Sequence, residues 1–290
     1  MDGFLINGPT RLSGEVNISG AKNAALPIMT ACLGYPGIYR LKNVPDLRDT
    51  RTMIKLLEII GSKVSKDNNN ITIDSRNCNN PEAPYELVKT MRASFYVLGP
   101  LLSRFKYSKV SLPGGCAWGP RPVNYHIKAF EDMGAKVTLD SGYILAEGNL
   151  VSSKVVFEKS SVGATGNALM ACMNLNEIVI IENAAIEPDI VDLCSFLVKI
   201  GMKIKGIGTK RLEVLGIPQN KNIDISYTII PDRIEAGTFL IGAAMTNGDV
   251  TLKNVNPNHL SIVMDKLKQC GCRLTIKSES VINIKGPEKI

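Results

Sequence analysis

The 290-residue sequence has one tryptophan, two histidines and an aromatic content of only 6%. So few rings offer little to stack on bases, and no basic run of the KRKK kind occurs. The net charge of +7 therefore fits small anionic ligands better than nucleic acid. His126 and His259 stand alone and build neither a histidine triad nor a zinc site. No stretch approaches the roughly 18 uninterrupted apolar residues of a membrane span, so no membrane partner is expected. The opening MDGFLINGPTRLSG lacks a basic region followed by an apolar one. That argues against a secretory signal and for a cytoplasmic protein. The seven cysteines, an odd number, have no metal-type spacing and read as reduced thiols. Even Cys270-Gly-Cys272 reads as the glycine turn of a repeat rather than a ligand pair. No metal and no cofactor are expected.

What the sequence does have is apolar material for a large core (44%) and a length worth roughly two domains at about 150 residues each. It also repeats itself. Strands are expected at Arg40–Val44, Val110–Gly114, Ile180–Ala184 and Thr251–Val255, whose starts are 70, 70 and 71 residues apart. Each is followed by an amphipathic helix that closes near Gly61, Gly134, Gly201 or Gly271, as a helix C-cap with positive φ requires. In the first of these helices Met53, Ile54, Leu57 and Ile60 form the expected apolar stripe. Short hairpins with Asn or Ser-Gly tips come next. The unit is α-β-α-β-β, or βαβαββ with the preceding strand. The first 20 residues read as two short strands that complete a sheet with the C-terminal unit. The division expected is a three-unit domain over 21–229 and an incomplete one made of 1–20 plus 230–290.

Departures from the repeat point to function. Lys22 and Arg92 open equivalent helices, where a cation opposes the helix dipole unless an anion binds there. A solvated basic side chain is the plain alternative. Residues 111–122 hold three prolines and three glycines around Cys116 and Trp118, a composition that suits a loop closing over a substrate. Arg121 and the glycine-rich backbone could lower the Cys116 thiol pKa. Lys159-Ser-Ser-Val-Gly-Ala-Thr165 opens a third helix with hydroxyls and N–H groups suited to phosphate, or simply with a serine cap. Asp232 and Glu235 occupy a first helical turn, where capping also accounts for them.

Taken together, SGAKNAALP, VKTMRAS, SLPGGCAWGPRPVNYHI, SSVGAT, IENAAIEPDIVD and PDRIEAGTF resemble the enolpyruvyl transferase family. The likeness is to the branch of peptidoglycan synthesis that uses UDP-N-acetylglucosamine, rather than to the shikimate branch, which lacks the cysteine loop. It implies an inside-out α/β barrel of βαβαββ units, with four of an expected six present and a C-terminal part absent. It also implies transfer of the enolpyruvyl group of phosphoenolpyruvate to the 3′-hydroxyl of UDP-N-acetylglucosamine, with release of phosphate.

By motif, Cys116 matches the family's proton donor, which can also form a covalent phosphoenolpyruvate adduct. Lys22, Asn23 and Arg121 match phosphoenolpyruvate contacts. Arg92, Arg121, Pro122, Val123, Asn124, Tyr125, Lys159, Ser160, Ser161 and Val162 match contacts to the UDP-sugar. Asn124 and Tyr125 replace the Asp and Leu frequent in relatives, and Tyr125 is placed to pack on the uracil. Asp232 and Glu235 match carboxylates near the cleft. The family's aspartate base and further arginines come from the C-terminal region and have no counterpart in this sequence. The alternative expectation is a non-catalytic UDP-sugar-binding remnant, and an incomplete second domain predicts self-association.

Overall fold

A computed structural model describes residues 3–88, 91–112 and 123–287. The repeats appear in chain order. After β1 (Ser13–Asn17) come α1 (Lys22–Ala31), β2 (Ile38–Lys42), α2 (Arg48–Ile60), β3 (Lys63–Asp67) and β4 (Asn70–Asp74). The second repeat has β5 (Glu82–Ala83), α3 (Tyr85–Val88), a 3-10 turn (Arg92–Val97), α4 (Leu98–Phe105), β6 (Tyr107–Ser111), α5 (Asn124–Asp132), β7 (Lys136–Asp140) and β8 (Tyr143–Glu147). The third has β9 (Lys154–Val156), α6 (Val162–Ala171), β10 (Val179–Glu182), α7 (Pro188–Ile200), β11 (Lys203–Lys205) and β12 (Arg211–Leu215). The fourth follows with β13 (Asp224–Thr228), α8 (Arg233–Met245), β14 (Asp249–Lys253), α9 (Ser261–Gln269), β15 (Arg273–Ser278) and β16 (Val281–Lys285).

Contacts divide the chain into a central unit, Lys22–Ile229, and an end unit of Met1–Ala21 with Ile230–Ile290. Four four-stranded sheets share one plan, in orders β13-β2-β4-β3, β5-β6-β8-β7, β9-β10-β12-β11 and β1-β14-β16-β15. In each, a leading strand pairs in parallel with β2, β6, β10 or β14, the first strand of the α-β-α-β-β unit, and a hairpin completes the sheet antiparallel. The first sheet takes its leading strand from β13, at the far end of the central unit, so the three repeats close on themselves. The segment ahead of the first repeat, β1, instead serves the fourth sheet.

Helices lie inside the central unit. Ala24–Ala31 of α1 and Ala164–Ala171 of α6 are buried on every side, with small residues interspersed among larger, mainly apolar ones. The end unit has its own core, in which Ile18, Leu240, Leu252, Ile282 and Ile284 are shut away from water. Helix α8 packs Ala236, Leu240 and Ala243 into that core and exposes Ile234, Ile241 and Met245.

The glycine caps behave as their position in the repeat requires. Gly61, Gly134, Gly201 and Gly271 have φ of 107°, 90°, 120° and 86°. Three details of the sequence reading change. The described part of the first 20 residues carries one strand, β1, not two, and Leu12 just ahead of it accepts from the Asp249 amide of β14 at 2.9 Å. The stripe of α2 is Met53, Leu56, Leu57 and Ile60, with Ile54 at its half-buried edge. The first strand of each repeat also begins and ends earlier than expected, and asparagine is the cause in three of the four.

Asn43, Asn183 and Asn254 each follow the last residue of such a strand and turn it off with φ of 58°, 55° and 54°. Asparagine tolerates this left-handed region better than other residues with a Cβ. Each side chain then reaches the parallel neighbour just past its end. Asn43 donates to Ile229 O at 2.9 Å, Asn183 to Phe157 O at 2.9 Å and Asn254 to Ile18 O at 2.6 Å. The recurring Asn is thus a staple that fixes the leading strand of its sheet.

Candidate active site

Lys22 is the first residue of α1, and its ammonium pairs with Asp49 at 3.0 Å. Asp49 lies in the first turn of α2, where a carboxylate suits the helix dipole. It therefore offsets the unfavourable placement of Lys22 at another helix start. The side chains remain 40% and 32% exposed, so the pair is open to an incoming anion. Asn23, next in α1, is exposed.

Arg92 begins the 3-10 turn rather than an α-helix. Pro100 has no N–H to give to Tyr96 O, which removes one α-helical bond where this turn meets α4. Cys116, Trp118, Arg121 and Pro122 lie outside the described residues. On the far side of that loop Val123 precedes α5, and its carbonyl accepts from the amides of His126 and Ile127. Asn124 is exposed at the first position of α5. The Tyr125 ring meets Phe157 edge-on, centroids 6.3 Å apart. This contact brings the start of α5 beside the segment that leads into α6.

Lys159 and Ser160 are exposed, and Val162 is half-buried. Ser161 caps α6, its hydroxyl oxygen accepting from the Ala164 amide at 3.3 Å. Thr165 does not face a ligand position. It is fully buried, and its hydroxyl oxygen accepts from the Ala185 amide at 3.0 Å. Arg233 stands at the first position of α8, equivalent to Lys22 and Arg92, and reading the sequence missed it.

In the end unit both candidate carboxylates have backbone work. Asp232 Oδ1 accepts from the amides of Ile234 and Glu235 at 2.7 and 3.0 Å. Glu235 Oε2 accepts from the Ser19 amide at 2.9 Å and from the Ser19 hydroxyl. Capping thus accounts for Asp232, while Glu235 ties α8 to the residues just after β1.

Among the described residues no group of three His, Cys, Asp or Glu side chains could hold a metal ion, and no helix is long and apolar enough to cross a membrane. A cavity of about 440 Å³ occurs at the opposite ends of α4 and α6, lined by Leu102, Arg104, Lys106, Asn149, Asn174 and Gln219 among others. Its Arg104 is committed to backbone carbonyls of Leu33, Ser75, Arg76 and Cys78. That cavity is remote from the helix starts that carry the candidate residues.

The family model described as EPSP synthase (3-phosphoshikimate 1-carboxyvinyltransferase) matches residues 6–290. The chain belongs to the enolpyruvyl transferase family. A protein of Chlorobaculum parvum named UDP-N-acetylglucosamine 1-carboxyvinyltransferase is 49% identical over all of this chain and 69% of its own length. A protein of that name from Chloroherpeton thalassium is 48% identical over all of this chain and 68% of its own. The chain thus spans about two thirds of the length of these relatives. Among solved structures, the enolpyruvyl transferase NikO from Streptomyces tendae has a TM-score of 0.84 at 20% identity, over 98% of this chain and 68% of that one. EPSP synthase from Acinetobacter baumannii has a TM-score of 0.75 at 21% identity, over 97% and 66%. Both establish the inside-out α/β fold. Asp49, beside Lys22, is a second residue that the sequence alone does not single out, because its only signal there is an ordinary acidic first turn.

Proposed function

We propose that this chain transfers the enolpyruvyl group of phosphoenolpyruvate to the 3′-hydroxyl of UDP-N-acetylglucosamine and releases phosphate, the first committed step of peptidoglycan synthesis. The observation that carries this reading is identity of 45–49% along the whole chain to relatives named for that reaction. The part-exposed Lys22 at the start of α1 and the exposed Lys159 ahead of α6 suit it, since both substrates are phosphorylated anions.

The chemistry is an addition followed by an elimination. A proton goes to the vinyl CH₂ carbon while the sugar hydroxyl, losing its own proton, attacks the neighbouring carbon. The C–O bond to phosphate then breaks, and a proton leaves the new methyl group to restore the double bond. Cys116 is the proton donor in this reading. Lys22 and Arg121, with Asn23, hold the phosphate and carboxylate of phosphoenolpyruvate. Arg92, Arg121, Pro122, Val123, Asn124, Tyr125 and Lys159–Val162 receive the UDP-sugar. Tyr125 already has Phe157 against one edge, so a uracil would join an existing aromatic contact.

Phosphate release that requires both substrates together is the expected result, and Cys116→Ser and Arg121→Ala should each abolish or severely reduce it. Tight binding of UDP-N-acetylglucosamine without phosphate release would instead support a non-catalytic sugar-binding protein. Activity and ligand binding unchanged in both variants would overturn the site assignment.

A further inference from the structure

His126 and Asn167 break the repeat pattern together. The residue that precedes the helix-ending glycine by one fixed interval is Met53 before Gly61, His126 before Gly134, Leu193 before Gly201 and Val263 before Gly271. Met53 and Leu193 are fully buried, and Val263 packs on the core. Counted equally from the opening residues Lys22, Arg92, Val162 and Arg233, the other position holds Pro27, Val97, Asn167 and Thr238. His126 is therefore the polar member of an otherwise apolar set, Asn167 is a fully buried amide where the other repeats hold Pro27, Val97 and the exposed Thr238, and the two side chains touch. Asn167 Nδ2 lies 2.9 Å from His126 Nδ1, with Asn167 fully buried and His126 8% exposed.

Buried polar groups persist where their surroundings satisfy them. The Gly99 amide donates to Asn167 Oδ1 at 2.9 Å, and Asn167 Nδ2 donates to Phe95 O at 3.1 Å. The Gly99 N–H fixes which way the amide points, so Nδ2 also donates to His126 Nδ1. The imidazole is then neutral with its proton on Nε2. The Phe95 ring meets it edge-on, centroids 4.9 Å apart.

Three glycines let the helices close on this pair. A Cβ on Gly99 would lie 2.4 Å from Asn167 O, one on Gly163 3.1 Å from the His126 ring and one on Gly166 2.8 Å from the Tyr96 ring. The contacts join three segments. Phe95 is one 3-10 turn beyond Arg92, His126 directly follows Asn124 and Tyr125, and Asn167 is roughly 7–8 Å along α6 from Val162 at 1.5 Å per residue.

We propose that Asn167 and His126 are positioning residues for the UDP-sugar: through the Gly99 amide, the Phe95 carbonyl and each other, they set the mutual placement of the helix starts at Arg92, Asn124 and Val162. The inference rests on the UDP-sugar reading above.

The test compares the unaltered chain with Asn167→Val/His126→Leu, which installs the residues found at these positions in neighbouring repeats (Val97 and Leu193). Thermal unfolding reads folding, calorimetry reads affinity for UDP-N-acetylglucosamine, and amide hydrogen exchange reads residues 92–99. The expected variant is folded, exchanges faster at Gly99 and binds the sugar nucleotide at least about tenfold more weakly, the worth of one well-made hydrogen bond. Should the double variant not fold, the single variant His126→Leu is expected to show the same weakening. A folded variant that binds as tightly as its parent overturns the inference alone. Failure of the parent to bind UDP-N-acetylglucosamine overturns the function reading, and the inference with it.

Discussion

Replacing Asn183 separates the two tasks that the strand-end asparagines perform. Its φ of 55° is one that an alanine pays for by about 1–2 kcal/mol and a glycine does not. Its side chain gives a hydrogen bond to Phe157 O at 2.9 Å and a longer one to Glu158 O at 3.4 Å. Losing that bond costs about 1 kcal/mol, since water can reach a partly buried carbonyl. Asn183→Gly should therefore destabilise the chain by about 1 kcal/mol and Asn183→Ala by about 2–3 kcal/mol. Urea unfolding followed by circular dichroism measures both, as a lowered midpoint with an unchanged slope. Phe157 also contacts Tyr125, so the alanine variant should lose affinity for UDP-N-acetylglucosamine as well. An alanine variant as stable as the glycine variant would refute the role assigned to the backbone conformation. A glycine variant as stable as the parent would refute the staple.

Two further outcomes are expected. Asp49→Ala should leave stability within about 1 kcal/mol of the parent, because the ion pair with Lys22 is part-exposed. It should raise the KM for phosphoenolpyruvate several-fold, as measured by phosphate release, and a lowered KM would show that Asp49 competes with the substrate instead of orienting Lys22. Burial pushes the Cys172 and Cys194 thiols up to about 12 and raises that of Cys32 as well. Alkylation at pH 8 should thus spare all three while modifying the exposed Cys270, read residue by residue by mass spectrometry. Because the folded thiols hold their protons more tightly than unfolded ones, the stability they contribute is complete below about pH 9. It declines as the pH rises beyond that. A urea midpoint rising from pH 9 to 10.5 would contradict this.

Periodicity made the repeat visible, because glycine caps and apolar stripes are local devices that recur in one order. Strand ends were less legible. Asn43, Asn183 and Asn254 look like ordinary strand residues until the partner carbonyl across the sheet is known. The 3-10 turn at Arg92, where the equivalent Lys22 opens an α-helix, is a difference that a helical stripe does not reveal. Placing β13 in the first sheet is a matter of chain closure, which no local pattern encodes. Within the site, motifs pointed to Lys22, Ser161 and Tyr125, whose neighbours the structure supplies as Asp49, the Ala164 amide and Phe157. His126 was seen only as a solitary histidine, since its partner Asn167 is far along the chain.

The central claim, enolpyruvyl transfer to UDP-N-acetylglucosamine, is tested most directly by proton NMR of the sugar nucleotide incubated with phosphoenolpyruvate and this chain. The account predicts a pair of vinyl proton signals on a product that keeps the UDP-sugar, appearing in step with inorganic phosphate and lost in Cys116→Ala. Phosphoenolpyruvate and UDP-N-acetylglucosamine both remaining intact, with the protein folded, would contradict it.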